Sequence, residues 1–163
     1  MYKVMIVGHG FVGSAVASLF SEKEKVIVDP KFNDNKISDN PGIPFDAVFV
    51  SVDTPKAEGF KLLDTILWEL NYCMMEGTPV CCKSTATPEF YYNVSQKYKN
   101  IKIVHSPEYL NKSNPIKMFQ EQKFFIIGGD EHAAMTVGHI FKSRLNHVKE
   151  IRYTDIRTAA MVK

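Results

Sequence analysis

Short β-branched or apolar runs occupy residues 3–7, 25–28, 47–52, 79–82, 101–104, 124–127 and 147–152, a pattern that predicts seven strands. Between them the apolar positions take a helical period. The stretches are Phe11, Val12, Ala15, Val16 and Leu19; Leu62, Leu63, Ile66, Leu67, Leu70, Cys73 and Met74; Phe90, Val94 and Tyr98; and Ala134, Val137, Ile140, Phe141 and Leu145. The punctuation agrees with this division. Gly77 before Thr78-Pro79 reads as a helix stop, Thr87-Pro88-Glu89 as an N-cap followed by proline, and Asp130 as the cap of the helix after Gly128-Gly129. Strands alternating with helices imply parallel strands joined by right-handed crossovers. The expected fold class is therefore α/β, a doubly wound and mostly parallel sheet with helices on both faces.

One interval breaks the rhythm. The 17 residues from 30 to 46 are rich in Asn, Asp, Lys, Pro and Gly, too few for a full helical repeat, so the fold is expected to be shortened after its second strand. No other linker or repeat divides the chain, so residues 1–153 read as one domain. Tyr153-Thr154-Asp155 then looks like a cap, and residues 154–163 like the start of a further helix.

Composition narrows the class. At 163 residues with 45% hydrophobic and 23% charged positions, the chain is long enough for one core and unlike a disordered segment. A net charge of +2, scattered in short pieces, carries no nucleic-acid footprint. No apolar run reaches the length of a membrane span or a signal segment. Three cysteines, two of them the neighbours Cys81 and Cys82 in an apolar run, cannot form an even disulfide framework, which points to a reducing compartment and hence the cytoplasm. His9, His105, His132, His139 and His147 lack metal-ligand spacing, so no metal is expected.

The candidate chemistry begins at the first strand, which runs into Gly8-His9-Gly10-Phe11-Val12-Gly13 and then into a helix. That is the context a dinucleotide fingerprint requires. Gly8 permits the tight turn, Gly10 lets a pyrophosphate approach the backbone, and Gly13 lets the helix pack on the strand. The second strand ends at Asp29, 21 residues after Gly8, where an acid meets the adenosine ribose hydroxyls. The carboxylate favours NAD, because it would repel a 2′-phosphate; Lys31 leaves NADP as a minor option.

With these motifs the chain resembles the UDP-glucose and GDP-mannose 6-dehydrogenases, specifically their N-terminal NAD-binding domain. The likeness rests also on Val48-Phe49-Val50-Ser51-Val52-Asp53-Thr54-Pro55, Lys83-Ser84-Thr85, His105-Ser106-Pro107-Glu108-Tyr109-Leu110, residues 124–129, and Thr154-Asp155-Ile156-Arg157 leading to Met161-Val162-Lys163. The resemblance implies that Val52, Thr54 and Ser84 join Gly8, Gly10, Phe11, Val12, Gly13 and Asp29 around NAD. It implies that Tyr109, Leu110 and Asn111 face a nucleotide sugar such as UDP-glucose. It further implies that Thr85 positions water, that Glu108 assists hydrolysis of an acyl intermediate, and that Lys163 stands beside the substrate oxyanion. The reaction so implied is oxidation of a sugar C6 alcohol to a carboxylate. Read without the resemblance, Thr85 closes a strand, and Glu108 and Lys163 are solvated.

The departures are specific. Asn111-Lys112-Ser113 replaces the family's second acid and glycine, and Ala160 stands where the family commonly has Glu. Cys73, Cys81 and Cys82 do not match the family's nucleophilic cysteine, which lies beyond position 163, and Cys81 and Cys82 read as core packing. A completing substrate half is expected from further sequence or a separate chain, and a homo-oligomer is a further expectation. The alternative is a stand-alone NAD-binding module without turnover. A β-hydroxyacid dehydrogenase-like protein shares the glycine loop but has no need of Pro107-Glu108-Tyr109-Leu110.

Overall fold

In the computed structural model, which describes residues 1–55, 60–111 and 113–162, the strands are β1 (Val4–Val7), β2 (Lys25–Val28), β3 (Ala47–Val50), β4 (Pro79–Cys82), β5 (Lys102–His105), β6 (Phe124–Gly129) and β7 (Glu150–Thr154). They form one sheet in the order β2-β1-β3-β4-β5-β6-β7. The first five are parallel, with Val4 opposite both Lys25 and Ala47. β1 and β3 are buried along their whole length, which is why their sequences are unbroken apolar runs rather than alternations.

The period of two sends successive side chains to opposite faces. Val4, Ile6, Phe49, Cys81 and Val104 pack under α1 (Phe11–Ala17), α4 (Pro115–Gln120) and α5 (Glu131–Arg144). Met5, Val48, Val50, Val80 and Cys82 pack under α2 (Lys61–Cys73), α3 (Pro88–Lys97) and α6 (Ile156–Met161). Neighbouring cysteines of β4 thus enter two different cores, each fully buried. In α2 the stripe Leu63, Leu67 and Leu70 is fully buried, and burying each such side chain is worth about 1.5–3 kcal/mol.

The expected caps form. Thr87 Oγ1 accepts from the Phe90 N–H at 3.2 Å, Asp130 Oδ1 from Ala133 at 3.0 Å, and Asp155 Oδ1 from Thr158 at 2.9 Å. Each satisfies an amide that the helix leaves orphaned. Residues 30–46 hold only a 3-10 turn, Ile37–Asp39, tethered where the Asn33 and Asn35 amides donate to the Ile27 carbonyl at 3.1 and 3.0 Å.

Three features differ from the sequence expectation. The last strand lies at Glu150–Thr154 rather than 147–152, so Thr154 is strand and Asp155 alone is the cap. A short helix, α4, follows Asn114, whose Oδ1 accepts from the Lys117 N–H; six residues are too few to display a period. Most important, β6 runs antiparallel to β5, pairing Val104 with Gly129 and His105 with Gly128, and β7 is parallel to β6. The chain turns back at the edge where β5 ended.

Residues 154–162 belong to the packed structure. Gly128 lies against the Asp155 carbonyl and Ala159 with no room for a Cβ, and Ile156, Ala159 and Ala160 are buried. Among the described residues no helix is long and apolar enough to cross a membrane, and no group of three or more His, Cys, Asp or Glu could hold a metal ion.

Candidate functional site

The carboxyl ends of β1 to β4 line up at one edge of the sheet and open into two adjoining hollows. The larger, about 520 Å³, is bounded by Gly8, Gly10, Asp29, residues 30–37 and one flank of α2. The smaller, about 130 Å³, is bounded by Gly10, Phe11, Val12, Thr54, Ser84 and Thr85. Gly10, Ser51, Val52 and Asp53 border both. The edge gathers these residues because parallel strands put every strand-to-helix turn on the same side.

The three loop glycines do different things. Gly8 has φ +87°, and a Cβ there would stand 2.6 Å from the Ser51 carbonyl oxygen, so both conformation and space demand glycine. Gly13 is pressed against the Gly8 carbonyl, with no room for a side chain, and lines neither hollow. Gly10 is the opposite case: nothing lies within 4 Å of its missing Cβ. It also begins α1 without any side-chain cap. Open space before a glycine that packs against nothing is what a close-lying phosphate backbone requires.

Asp29 stands at the far rim. Its Oδ2 accepts from the His9 N–H at 2.6 Å and its Oδ1 from the Lys31 N–H at 2.8 Å. The His9 hydrogen bond, opposed by partial burial and helped by Lys31, holds this carboxyl below its ordinary value, so it is ionised at neutral pH. Each oxygen keeps a free lone pair for a hydroxyl donor. The His9 ring packs on Phe32 with centroids 4.2 Å apart, which fixes the loop outside the acid.

Ser84 turns inward. Its hydroxyl donates to the Val52 carbonyl at 2.8 Å and accepts from the Val52 N–H at 2.9 Å, so it clasps the end of β3 to the end of β4. Thr54 Oγ1 donates to the Thr85 carbonyl at 2.6 Å, a second clasp across the same two turns, and leaves the Thr85 side chain exposed at the mouth. Val52 and Thr54 are thereby fixed in position at the floor of the cleft.

The loop after β5 is built around a buried charge pair. Lys83 Nζ lies 3.1 Å from Glu108 Oε2 and donates to the Ser106 carbonyl and hydroxyl at 3.2 and 3.3 Å. The rings of Phe119, Phe125 and Phe141 surround it, their centroids 5.4 to 5.9 Å away. Glu108 is 3% exposed and lines neither hollow. Beyond it, the exposed Tyr109 donates its hydroxyl to the Val162 carbonyl at 3.0 Å, and burial raises its pKa. Leu110 packs on the core beneath α1 and α5, and Asn111 Oδ1 accepts from the Ser113 N–H at 3.1 Å to close a local turn. Lys112 and Lys163 lie outside the described residues.

Sequence reasoning missed Ser51. Its Oγ is buried without a hydrogen-bond partner directly beneath the glycine loop, a donor left over at the point where both hollows meet. It also missed the flank formed by Leu62, Ile66 and Glu69. A signal existed there, for Leu62 and Ile66 recur at i and i+4 on a different face of the helix from Leu63, Leu67 and Leu70. The cysteines offer no nucleophile at this edge: burial pushes the Cys81 thiol up to about 11 and that of Cys82 well up, and Cys73 sits at the end of α2.

Glycine loop, acid and sheet together define a Rossmann-like α/β fold. Neither a protein-family profile nor a curated protein matches the chain. Solved structures do, among them several nucleotide-sugar dehydrogenases and a putative oxidoreductase of Mycobacterium avium. The UDP-D-ManNAc dehydrogenase of Pyrococcus horikoshii superposes with a TM-score of 0.81 at 18% identity over 99% of this chain and 49% of its own. For the GDP-mannose dehydrogenase of Pseudomonas aeruginosa the values are 0.75, 19%, 99% and 48%. The UDP-glucose dehydrogenase of Pyrobaculum islandicum gives 0.75, 16%, 99% and 48%. The chain spans about half the length of each, and at these identities the likeness is one of fold.

Proposed function

We propose that this chain binds NAD in the cleft at the carboxyl edge of the sheet and is the cofactor half of a nucleotide-sugar 6-dehydrogenase. In this reading it oxidises the C6 alcohol of a sugar such as that of UDP-glucose to a carboxylate when a substrate half completes it, supplied by further sequence or another chain. Residues 1–153 are the NAD-binding unit, with residues 154–163 leading to the substrate half, and three unpaired cysteines suit the cytoplasm. The observation that carries the reading is Gly10, a glycine at the junction of two hollows whose missing Cβ faces nothing in the protein.

The residues fit the cofactor. Gly8, Gly10, Phe11 and Val12 would present backbone amides to the pyrophosphate, with Ser51 Oγ as an added donor, and Asp29 would accept the ribose hydroxyls. Val52 and Thr54, held by the Ser84 hydroxyl and the Thr85 carbonyl, would wall the passage between the hollows. When bound, NAD supplies the hydride acceptor. Thr85, with its side chain free at the mouth, is the group this chain offers toward water or substrate there. Tyr109, Leu110 and Asn111 form the loop nearest an incoming sugar, and Lys163 keeps its proposed role at the oxyanion.

The second reading, a binding module without turnover, is favoured by one observation. Glu108, the acid assigned to hydrolysis, is paired with Lys83 and shielded from solvent, where it serves the loop's shape better than it serves water. Calorimetric titration with NAD tests what both readings share: saturable binding that Gly10→Val abolishes at unchanged circular dichroism supports the cleft, and wild-type affinity in that variant overturns it. Turnover separates the two readings. NADH formation from a nucleotide sugar on adding a chain that supplies a cysteine-bearing substrate half supports the enzyme; none in any such mixture supports the module. Two-NADH turnover by the 163 residues alone would contradict both.

A further inference from the structure

The peptide that joins Ser84 to Thr85 stands at the mouth of the smaller hollow, and its orientation is set by a residue that lines neither hollow. That residue is Tyr91 of α3, fully buried, whose hydroxyl donates to the Ser84 carbonyl at 2.5 Å. Its ring is wedged in place. It stacks on His105 with centroids 4.3 Å apart and 26° between the planes, and meets Phe90 edge-on at 5.7 Å. His105 Nδ1 in turn lies 2.9 Å from the Cys82 carbonyl oxygen. Burial holds the Tyr91 pKa well above the ordinary phenol value, so the hydroxyl keeps its proton for the bond to Ser84.

A trans peptide points its carbonyl and its N–H in opposite directions, and the described chain has no cis bond. Tyr91 belongs to the core beneath α2, α3 and α6. The Ser84 carbonyl, drawn toward it, therefore turns the Thr85 N–H away from that core, to the side of the sheet where Gly10, Phe11 and Val12 bound the smaller hollow. The other polar groups of this turn are engaged: the Ser84 hydroxyl with both backbone groups of Val52, and the Thr85 carbonyl with Thr54 Oγ1. The Thr85 N–H has no acceptor among the described residues. Water can satisfy it in the free chain; in a filled hollow a ligand must.

A dinucleotide brings one matching acceptor to this place. With its adenosine ribose at Asp29 and its pyrophosphate crossing Gly10, the end of NAD that enters the smaller hollow is the nicotinamide, whose carboxamide carries a carbonyl oxygen. Given NAD in the cleft, as proposed above, we infer that the Thr85 N–H donates to that oxygen, and that Tyr91 is the positioning residue that aims it, acting through the Ser84 carbonyl. Tyr91 thus governs the nicotinamide end alone. Without its hydroxyl the Ser84 carbonyl is buried and unpaired, and the peptide turns to find another donor.

Tyr91→Phe keeps the ring and its stacking and removes only the hydroxyl. Calorimetric titration of the full chain with NAD and with ADP-ribose, which lacks the nicotinamide, reads the consequence. NAD affinity should fall about two- to tenfold, the worth of one hydrogen bond, while ADP-ribose affinity stays at the wild-type value. Equal weakening of both ligands overturns the assignment, and so does undiminished NAD binding. A second measurement does not depend on how the variant folds. In proton–nitrogen correlation spectra of the wild-type chain, the Thr85 amide proton should move downfield on saturation with NAD and stay near its free position with ADP-ribose; an equal response to both ligands overturns the assignment. Gly10→Val separates the two levels. If it binds both ligands as the wild type does, the cofactor leaves this cleft and the role of Tyr91 goes with it. If it loses both while Tyr91→Phe binds NAD undiminished, the cleft stands and Tyr91 alone is removed.

Discussion

Lys83 and Glu108 form an ion pair with 0% and 2% of their side chains exposed, at a distance of 3.1 Å, across the turns that end β4 and β5. Three phenylalanine rings replace water around the ammonium, so among the described residues its solvation is supplied by Ser106 and the Glu108 carboxylate. Breaking such a pair from one side strands a charge. Lys83→Met should lower stability by about 3–5 kcal/mol. Lys83→Met with Glu108→Leu should recover most of that loss. Urea unfolding of both variants is the measurement, and a single-variant loss below about 1 kcal/mol would show that the pair does not hold the loop.

The two glycines that flank the start of α1 should separate folding from binding. Gly13→Ala drives a methyl into the Gly8 carbonyl and should cost about 1–3 kcal/mol as the helix is pushed off the strand. Gly10→Ala meets nothing and should unfold at wild-type urea concentration while binding NAD more weakly. Denaturation curves and calorimetry on the pair decide the matter; the reverse pattern would move the phosphate seat elsewhere.

Asp29 should set cofactor choice. NAD should bind more tightly than NADP, and Asp29→Ala should lose about 1.5–3 kcal/mol of NAD affinity, the worth of hydrogen bonds to a charged acceptor. Because its carboxyl sits below the ordinary range, the preference should persist to mildly acidic pH. Equal affinity for the two cofactors in the wild-type chain would remove Asp29 from the ribose.

Glu24 should make the fold acid-sensitive. Its carboxylate accepts from the Ser21 N–H at 3.0 Å and the Tyr2 N–H at 3.1 Å, and it pairs with Arg144 of α5. The Ser21 bond leads the causes that hold its pKa at about 2 rather than 4.5. A depressed folded-state value means stability present above the unfolded value and lost as pH falls through the folded one. The melting-temperature gap between wild type and Glu24→Gln should therefore be constant above about pH 5 and close between 4.5 and 2. A gap that does not change with pH would assign Glu24 a packing role only.

The class of fold was legible because β1, β3 and β4 are buried on both faces and must be apolar throughout, and because Thr87, Asp130 and Asp155 announce their helices by side-chain chemistry. The direction of β6 was not, since strand composition carries no arrow. At the cleft, the conformational demands on Gly8 and Gly13 could be read from their spacing. The inward turn of Ser84 and the pairing of Glu108 with Lys83 could not. Whether a polar side chain faces solvent or a neighbour 25 or 32 residues away is decided by packing that no local pattern encodes.

The reversal at β6 governs routing. Had β6 and β7 continued parallel, the helix after β7 would descend and deliver the chain to the far side of the sheet. Because both strands descend, α6 climbs, and its last turn comes up beside the loop after β5, where the Tyr109 hydroxyl holds the Val162 carbonyl. The antiparallel strand thus acts as a switchback: it carries residue 162 to the loop after β5, on the edge of the sheet that holds the candidate cleft. A fluorescent reporter joined there should sense occupancy of the cleft, whereas one joined at Met1 hangs from the opposite edge.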